Sequence, residues 1–181
     1  MLSRLDLRSA TGDLRPQLPR PQVGGDAPVA AVRAILDDVR ARGDAALLEL
    51  TERFDGVRPE PLRVPHVELK AALEAIPGPL REALEVAWAS VVDHHRHQLR
   101  PDASTEDRGL VLRELRRPVE RAGCYVPGGR ARYPSTVLMT AGPASVAGVE
   151  EVVVVCPPGL DGRLPVETLA ACAVAGVEEV Y

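Results

Sequence analysis

The sequence predicts an α/β fold, helical over its first half and built on parallel strands after that. Three observations carry this reading. Apolar residues recur every three to four positions up to about residue 100, and from residue 109 the character changes to short strands alternating with helices. Four consecutive valines, Val152 to Val155, make a short continuous apolar run. Such a run fits a strand covered on both faces, as in a parallel sheet. The hexapeptide AGVEEV stands at 147–152 and again, letter for letter, at 175–180. Each copy follows a helix of small residues, and the first leads into the valine strand. The second should therefore lead into a parallel neighbour through a right-handed βαβ crossover.

The elements follow in order. Gly12, Pro16, Pro19, Pro21, Gly24, Gly25 and Pro28 mark residues 12–28 as a linker or extended arm. Asp26 is placed to cap a helix with the stripe Val29, Val32, Leu36 and Val39, ended by Gly43. Asp44 caps a second helix, AALLELTERF, closed by Asp55 and Gly56. VRPEPLRVP is extended and broken by proline, and HVELKAALEAI is a short helix ended by Pro77, Gly78 and Pro79. The next helix is long, with Leu80, Leu84, Trp88, Val91, His95 and Leu99 near one face and Pro101 after it. GLVLRELRRPV alternates and reads as a strand, and AGCYVPGG is a second short strand entering a glycine turn. Ser135 is the expected N-cap of the helix STVLMTAG. Pro143 is expected to begin a new helical turn, because proline fits poorly inside a helix. EEVVVVCPP is a strand, CPPGLDGRLP a loop and VETLAACAVAG a helix. The predicted organisation is a mostly helical region, 1–118, followed by the first part of a Rossmann-like nucleotide-binding domain, 119–181. Tyr181 falls one or two residues into the last strand, where an ordinary strand runs about five. The expectation is a piece of a longer polypeptide, incomplete at its C-terminus.

Composition narrows the function classes. Of 181 residues, 45% are hydrophobic, 27% charged and only 3% aromatic, so the core must come from Leu, Val and Ala. The net charge of -4 gives no concentrated basic face for nucleic acid or an anionic membrane. No apolar run reaches the length of a membrane span, and the N-terminus lacks the apolar segment of a signal peptide. Three scattered cysteines, Cys124, Cys156 and Cys172, argue against a disulfide framework and for a reducing compartment. The expected location is cytoplasmic.

Chemistry concentrates at RAGCYVPGGRARYPSTVLM, residues 121–139. A strand, a glycine turn and a helix start, in that order, form the layout that receives phosphates. Glycines admit an anion to the backbone, and the first N–H groups of a helix point toward it. The spacing PGG is not the full G-x-G-x-x-G fingerprint, so a tight turn without ligand stays open beside the phosphate cradle. Tyr125 either lies against a base or ribose or covers the core with its hydroxyl in water. His94 and His97, three apart on a helix, invite a metal. No second ligand spacing supports them, and a polar helix end is the better reading. Cys124 has no histidine near it in sequence that would make it a nucleophile. Glu150, Glu151, Glu178 and Glu179 lie at strand starts, opposite the expected ligand end, and read as solvated.

Three segments, ILDDVRARGDAALLELTERFDG, YVPGGRARYPSTVLMTAGPASVAGVEEVVVVCPP and LAACAVAGVEEVY, resemble histidinol dehydrogenase from about residue 28 onward. The resemblance implies an NAD-dependent, zinc-containing oxidoreductase of histidine biosynthesis. It would oxidise L-histidinol through L-histidinal to L-histidine in two steps, as a homodimer. It places the family's NAD-contacting tyrosine on Tyr125. It also implies that the zinc ligands, the Glu–His proton-transfer pair and the other NAD contacts lie in segments beyond this chain. None of His66, His94, His95 and His97 falls on a matching motif, so no catalytic or metal residue is assigned. The expectation is roughly the first two-fifths of the enzyme, inactive alone. The alternatives are a shortened, non-catalytic homologue that binds a nucleotide or dimerises, and a purely structural interaction protein.

Overall fold

The computed structural model describes residues 4–19, 27–128 and 131–181. The cap expected at Asp26, part of the expected arm (Pro21, Gly24 and Gly25) and the second glycine of the turn, Gly129, lie outside the described residues. A 3-10 turn at Arg15–Gln17 precedes helices α1 (Ala27–Arg42), α2 (Asp44–Asp55), α3 (His66–Ala75) and α4 (Gly78–Arg96). Strands β1 (Ala103–Asp107), β2 (Leu110–Glu114) and β3 (Arg121–Tyr125) follow. Then come α5 (Pro134–Val146), β4 (Glu151–Val155), α6 (Val166–Val174) and β5 (Glu179–Val180). By its contacts the chain divides into two compact units, Met1–Gly43 and Asp44–Tyr181.

In the first unit no described residue is buried. The expected stripe forms on α1, yet Val29, Val32 and Leu36 stay exposed. Gly43 ends the helix as expected. Its φ is 58°, and its N–H donates to the Val39 carbonyl at 2.8 Å. Glycine adopts that left-handed geometry at no steric cost. Asp38 and Arg42 pair across one turn of α1 at 2.7 Å on an exposed face, and the Arg42 guanidinium holds the Asp38 carboxyl below its ordinary range.

The second unit holds the parallel sheet, in the order β3–β4–β5, so the valine strand is central. Arg121–Tyr125 runs parallel with Glu151–Val155, and Val153–Val154 with Glu179–Val180. Strand side chains alternate between faces. Cys124, Val154 and Val180 therefore form one row on the inner face, with Val126 and Cys156 beyond them. All five are buried in one cluster with Leu69 and Ala72 of α3, Leu84 of α4, Val137 and Leu138 of α5 and Leu169 of α6. Fully burying a side chain of this kind contributes about 1.5–3 kcal/mol. The loop VRPEPLRVP also takes part: the Val64 N–H donates to the Val180 carbonyl at 2.8 Å, along the outer edge of β5.

The AGVEEV repeat has a conformational meaning. In both copies the glycine has a left-handed φ, 87° at Gly148 and 69° at Gly176. Gly148 donates to the Ser145 carbonyl at 3.1 Å and Val149 to Ala144 at 3.1 Å. Gly176 donates to Ala173 at 3.2 Å and Val177 to Cys172 at 3.0 Å. These are two Schellman caps. Each stops a helix and turns the chain into a strand of the same sheet.

Several expectations need correction. α5 starts at Pro134 with Tyr133 as its N-cap, so Ser135 lies inside the first turn. Proline suits the first helical position, where its missing N–H costs nothing. α5 then continues through Pro143 to Val146 rather than restarting there. An interior proline costs about 3 kcal/mol or more, and burial of Val137, Leu138 and Ala141 on the same helix offsets it. α4 ends at Arg96, which leaves Leu99 outside it and exposed. β1 carries no strand signal of its own, because ASTED has no apolar alternation. Its partner creates it: Arg108 and Gly109 both take positive φ, 50° and 78°, and close an antiparallel hairpin of primed type onto β2. The valine run is also less enclosed than its composition suggests. Val153 and Val154 are buried, whereas Val155 at the carboxyl end is 43% exposed on the face away from the inner row.

One contact sets how closely α4 and α5 approach. A Cβ on Gly142 would lie 2.7 Å from Val91 Cγ1 and 3.5 Å from the Trp88 ring. Val91 is β-branched and has little rotameric freedom in a helix with which to move aside. Gly142→Ala is expected to destabilise the chain by about 1–3 kcal/mol, the usual cost of overpacking. The same substitution in a Val91→Ala background should be close to neutral. Urea unfolding of the four proteins of this cycle measures both.

Candidate functional site

The site builds from the carboxyl ends of β3 and β4, where ligands bind in open parallel sheets. Inner-face burial of Cys124 and Val126 forces the residue between them outward. Tyr125 is 63% exposed, at the last position of β3. Its cross-strand partner on the outer face is Val155. The ladder continues past the strand ends: Val126 donates to Val155 at 2.8 Å, Tyr181 to Val154 at 2.9 Å and Cys156 to Tyr181 at 2.9 Å. Tyr125 and Val155 thus mark the carboxyl end of the outer face, and Tyr181 continues β5 at the same level.

Gly128 has a packing reason. A Cβ there would sit 3.0 Å from the Pro157 carbonyl oxygen and 3.2 Å from Pro157 Cβ. Side-chain loss at Gly128 therefore lets the β3–α5 loop close onto the β4–α6 loop. Neither following helix has a side-chain cap at its start: Tyr133 precedes α5 and Pro165 precedes α6. Beside these starts, Arg132 donates through Nη1 to Oε1 of Glu167, in the first turn of α6. The sequence reading missed both residues. They are 35 positions apart, and no local pattern couples them.

The amino end of the sheet is also charged. Arg121 bonds Glu151 at 2.7 Å and Glu179 at 2.6 Å. The Tyr181 hydroxyl donates to Glu179 at 2.7 Å. The Tyr181 hydroxyl and Arg121 together hold the Glu179 carboxyl below its ordinary range, against the opposing effect of burial. Glu151 and Glu179 are therefore ion-paired across three strands, not merely solvated as expected.

The remaining candidates sit elsewhere. His94, His95 and His97 cluster at the exposed end of α4. His95 donates to Gln98 at 2.7 Å, Gln98 to His94 at 3.2 Å and His97 to the Asp93 carbonyl at 2.8 Å. Among the described residues no group of three His, Cys, Asp or Glu side chains is placed to hold a metal ion. The described side chains therefore do not fit a zinc site. Cys124, Cys156 and Cys172 are all buried as free thiols. Burial pushes Cys156 up to about 11. Burial, followed by the neighbouring Cys156 and Cys124 thiols, pushes Cys172 up to about 12. Such thiols are poor nucleophiles and poor metal ligands. No helix among the described residues is long and apolar enough to cross a membrane.

A parallel sheet covered by helices on its inner face, with loops and an exposed aromatic at its carboxyl edge, places the chain among α/β proteins. The family model for histidinol dehydrogenase matches residues 18–181. The chain belongs to the histidinol dehydrogenase family. It is 51% identical over 153 residues to a histidinol dehydrogenase of Prochlorococcus marinus (strain MIT 9313), covering 84% of this chain and 35% of that one. It is 48% identical over 184 residues to one of Thermobifida fusca (strain YX), covering 100% of this chain and 42% of that one. The crystal structure of histidinol dehydrogenase from Elizabethkingia anophelis superposes with a TM-score of 0.79 at 27% identity, over 90% of this chain and 37% of that one. The chain thus spans about two-fifths of the length of the curated relatives it matches.

The thiols give a measurable consequence. A raised thiol pKa in the folded state means that the native chain keeps protons that the unfolded chain releases above about 9. Stability from this source is complete below that pH and is lost as pH rises toward about 12. Unfolding free energy should therefore fall more steeply above pH 9 in the native sequence than in Cys172→Ala. A thiol reagent such as DTNB should label none of the three cysteines until urea unfolds the chain.

Proposed function

We propose that this chain is part of a histidinol dehydrogenase, and that in the whole enzyme it supplies the start of the NAD-binding region. The domain boundary near residue 118 belongs to that reading, with 119–181 as the cofactor-facing portion. The single observation that carries it is Tyr125. In a chain of this family, an aromatic ring stands 63% exposed at the carboxyl end of β3, three positions ahead of Gly128, and the next helix, α5, starts without a side-chain cap. These features fit one side of a dinucleotide site: a flat ring for base or ribose, and helix N–H groups for phosphate.

The whole enzyme would act on L-histidinol and yield L-histidine through L-histidinal, with two NAD molecules each accepting a hydride and water supplying the second carboxylate oxygen in the second step. Each oxidation also needs a base to take a proton from the substrate. Among the described residues no base is positioned for this: His66 starts α3, His94, His95 and His97 lie at the carboxyl end of α4 and bond only Gln98 and the Asp93 carbonyl, and the thiols are buried. Its residues are assigned to binding and not to chemistry. Zinc, a homodimeric assembly and a cytoplasmic location complete the proposal for the whole protein, with no role in nucleic-acid or membrane binding. A shortened homologue that only binds a nucleotide or dimerises is the competing reading, and the coding sequence past codon 181 separates the two.

Two outcomes follow. The purified 181-residue chain should form no NADH from L-histidinol, with or without added zinc, above a heat-killed control. In the whole enzyme, Tyr125→Ala should weaken NAD several-fold, a loss of about 1 kcal/mol for one aromatic contact. Its unfolding midpoint should barely move, since the ring is mostly in solvent. A large fall in midpoint with unchanged NAD affinity would reassign Tyr125 to packing.

A further inference from the structure

We propose that Arg132 and Glu167 are positioning residues of the dinucleotide site, tying the β3–α5 loop to the first turn of α6. This rests on the reading of Tyr125 as an NAD contact and extends it to two residues outside the glycine motif.

The carboxyl edge carries two adjacent loops, and among the described residues Gly128 and Arg132 tie one to the other and to α6. Near the strand ends, Gly128 approaches Pro157 so closely that a Cβ would lie 3.0 Å from the Pro157 carbonyl oxygen. Near the helix starts, Arg132 Nη1 donates to Glu167 Oε1. The two partners differ in exposure, with side chains 63% exposed for Arg132 and 20% for Glu167. Glu167 Oε2 is buried and has no hydrogen-bond partner among the described residues. A carboxylate so withdrawn from water depends strongly on its cation, and removing one partner of such a pair leaves the other uncompensated.

Placement gives the pair its consequence. Arg132 stands just ahead of Pro134, the first residue of α5, and Glu167 is the second residue of α6. The pair therefore couples the starts of the two helices that follow β3 and β4. Together with the Gly128–Pro157 approach, it holds two described positions after Tyr125, Gly128 and Arg132, against the β4–α6 loop and α6. Helix-dipole stabilisation alone also accounts for an acid in the first turn of α6. That role would affect stability without selectively affecting the cofactor, and kinetics separate the two.

The experiment is steady-state kinetics of the whole enzyme with NAD varied, comparing Arg132→Ala, Glu167→Gln and Tyr125→Ala. The expected result is a KM for NAD raised roughly two- to fivefold in Arg132→Ala and in Glu167→Gln, with kcat nearly unchanged. Arg132→Lys should recover most of the loss, because a single Nη1 contact is one that an ammonium can replace. Limited trypsinolysis gives a readout free of the cofactor: cleavage after Arg132 should accelerate in Glu167→Gln. An unchanged KM in both pair variants, with KM raised in Tyr125→Ala, overturns the positioning role and leaves Tyr125 in place. An unchanged KM in all three overturns both. Equal damage from Arg132→Lys and Arg132→Ala, or unaltered trypsin cleavage in Glu167→Gln, also overturns the tie.

Discussion

Burial of the inner face of the β3–β4–β5 sheet is the constraint on which the rest depends. Cys124, Val154 and Val180 lie in one cross-strand row, and Val126 and Cys156 continue that face. α3, α5 and α6 contribute Leu69, Val137, Leu138 and Leu169 to the same core. Because strand side chains alternate, placing Cys124 and Val126 inside leaves Tyr125 only the outer face. Register matters for the same reason. A slip of one residue in β3 would turn Tyr125 inward and its neighbours outward. The exposure that makes Tyr125 a candidate ligand residue is thus a by-product of packing on the opposite side.

Helix ends deliver the chain to this sheet. Two identical Schellman caps, at Gly148 and Gly176, stop α5 and α6 and aim the chain into β4 and β5. Short connections after the caps keep successive strands parallel. The connections at the opposite end, after β3 and β4, are longer and approach each other at Gly128 and Pro157. The division of labour is physical. The amino end of the sheet is fastened by Arg121 bridging Glu151 and Glu179, and the carboxyl end carries the exposed ring.

Glycine serves different purposes at different described positions. At Gly43, Gly148 and Gly176 it supplies a left-handed φ that ends a helix. At Gly142 it removes a Cβ that would collide with Val91. At Gly128 it lets two loops touch. Only the first purpose leaves a trace in sequence, as a glycine just after a periodic apolar run. The other two depend on neighbours 51 and 29 positions away, Val91 and Pro157, and are invisible to local pattern.

The sequence by itself determined the order of most elements, the parallel and central character of β4, and the family. Apolar periodicity, the valine run and the AGVEEV repeat are local signals, and each reports a conformation set within a few residues. Tyr125 was also legible, as an aromatic at a strand end before glycine. Tertiary structure alone decided what depended on distant partners. It kept α5 helical through Pro143, because burial of Val137, Leu138 and Ala141 outweighs the cost of an interior proline. It made a strand of the polar segment Ala103–Asp107, because β2 supplied hydrogen bonds that its own composition does not demand. It brought Arg132 to Glu167 across 35 residues, because two helices begin side by side at the edge of one sheet.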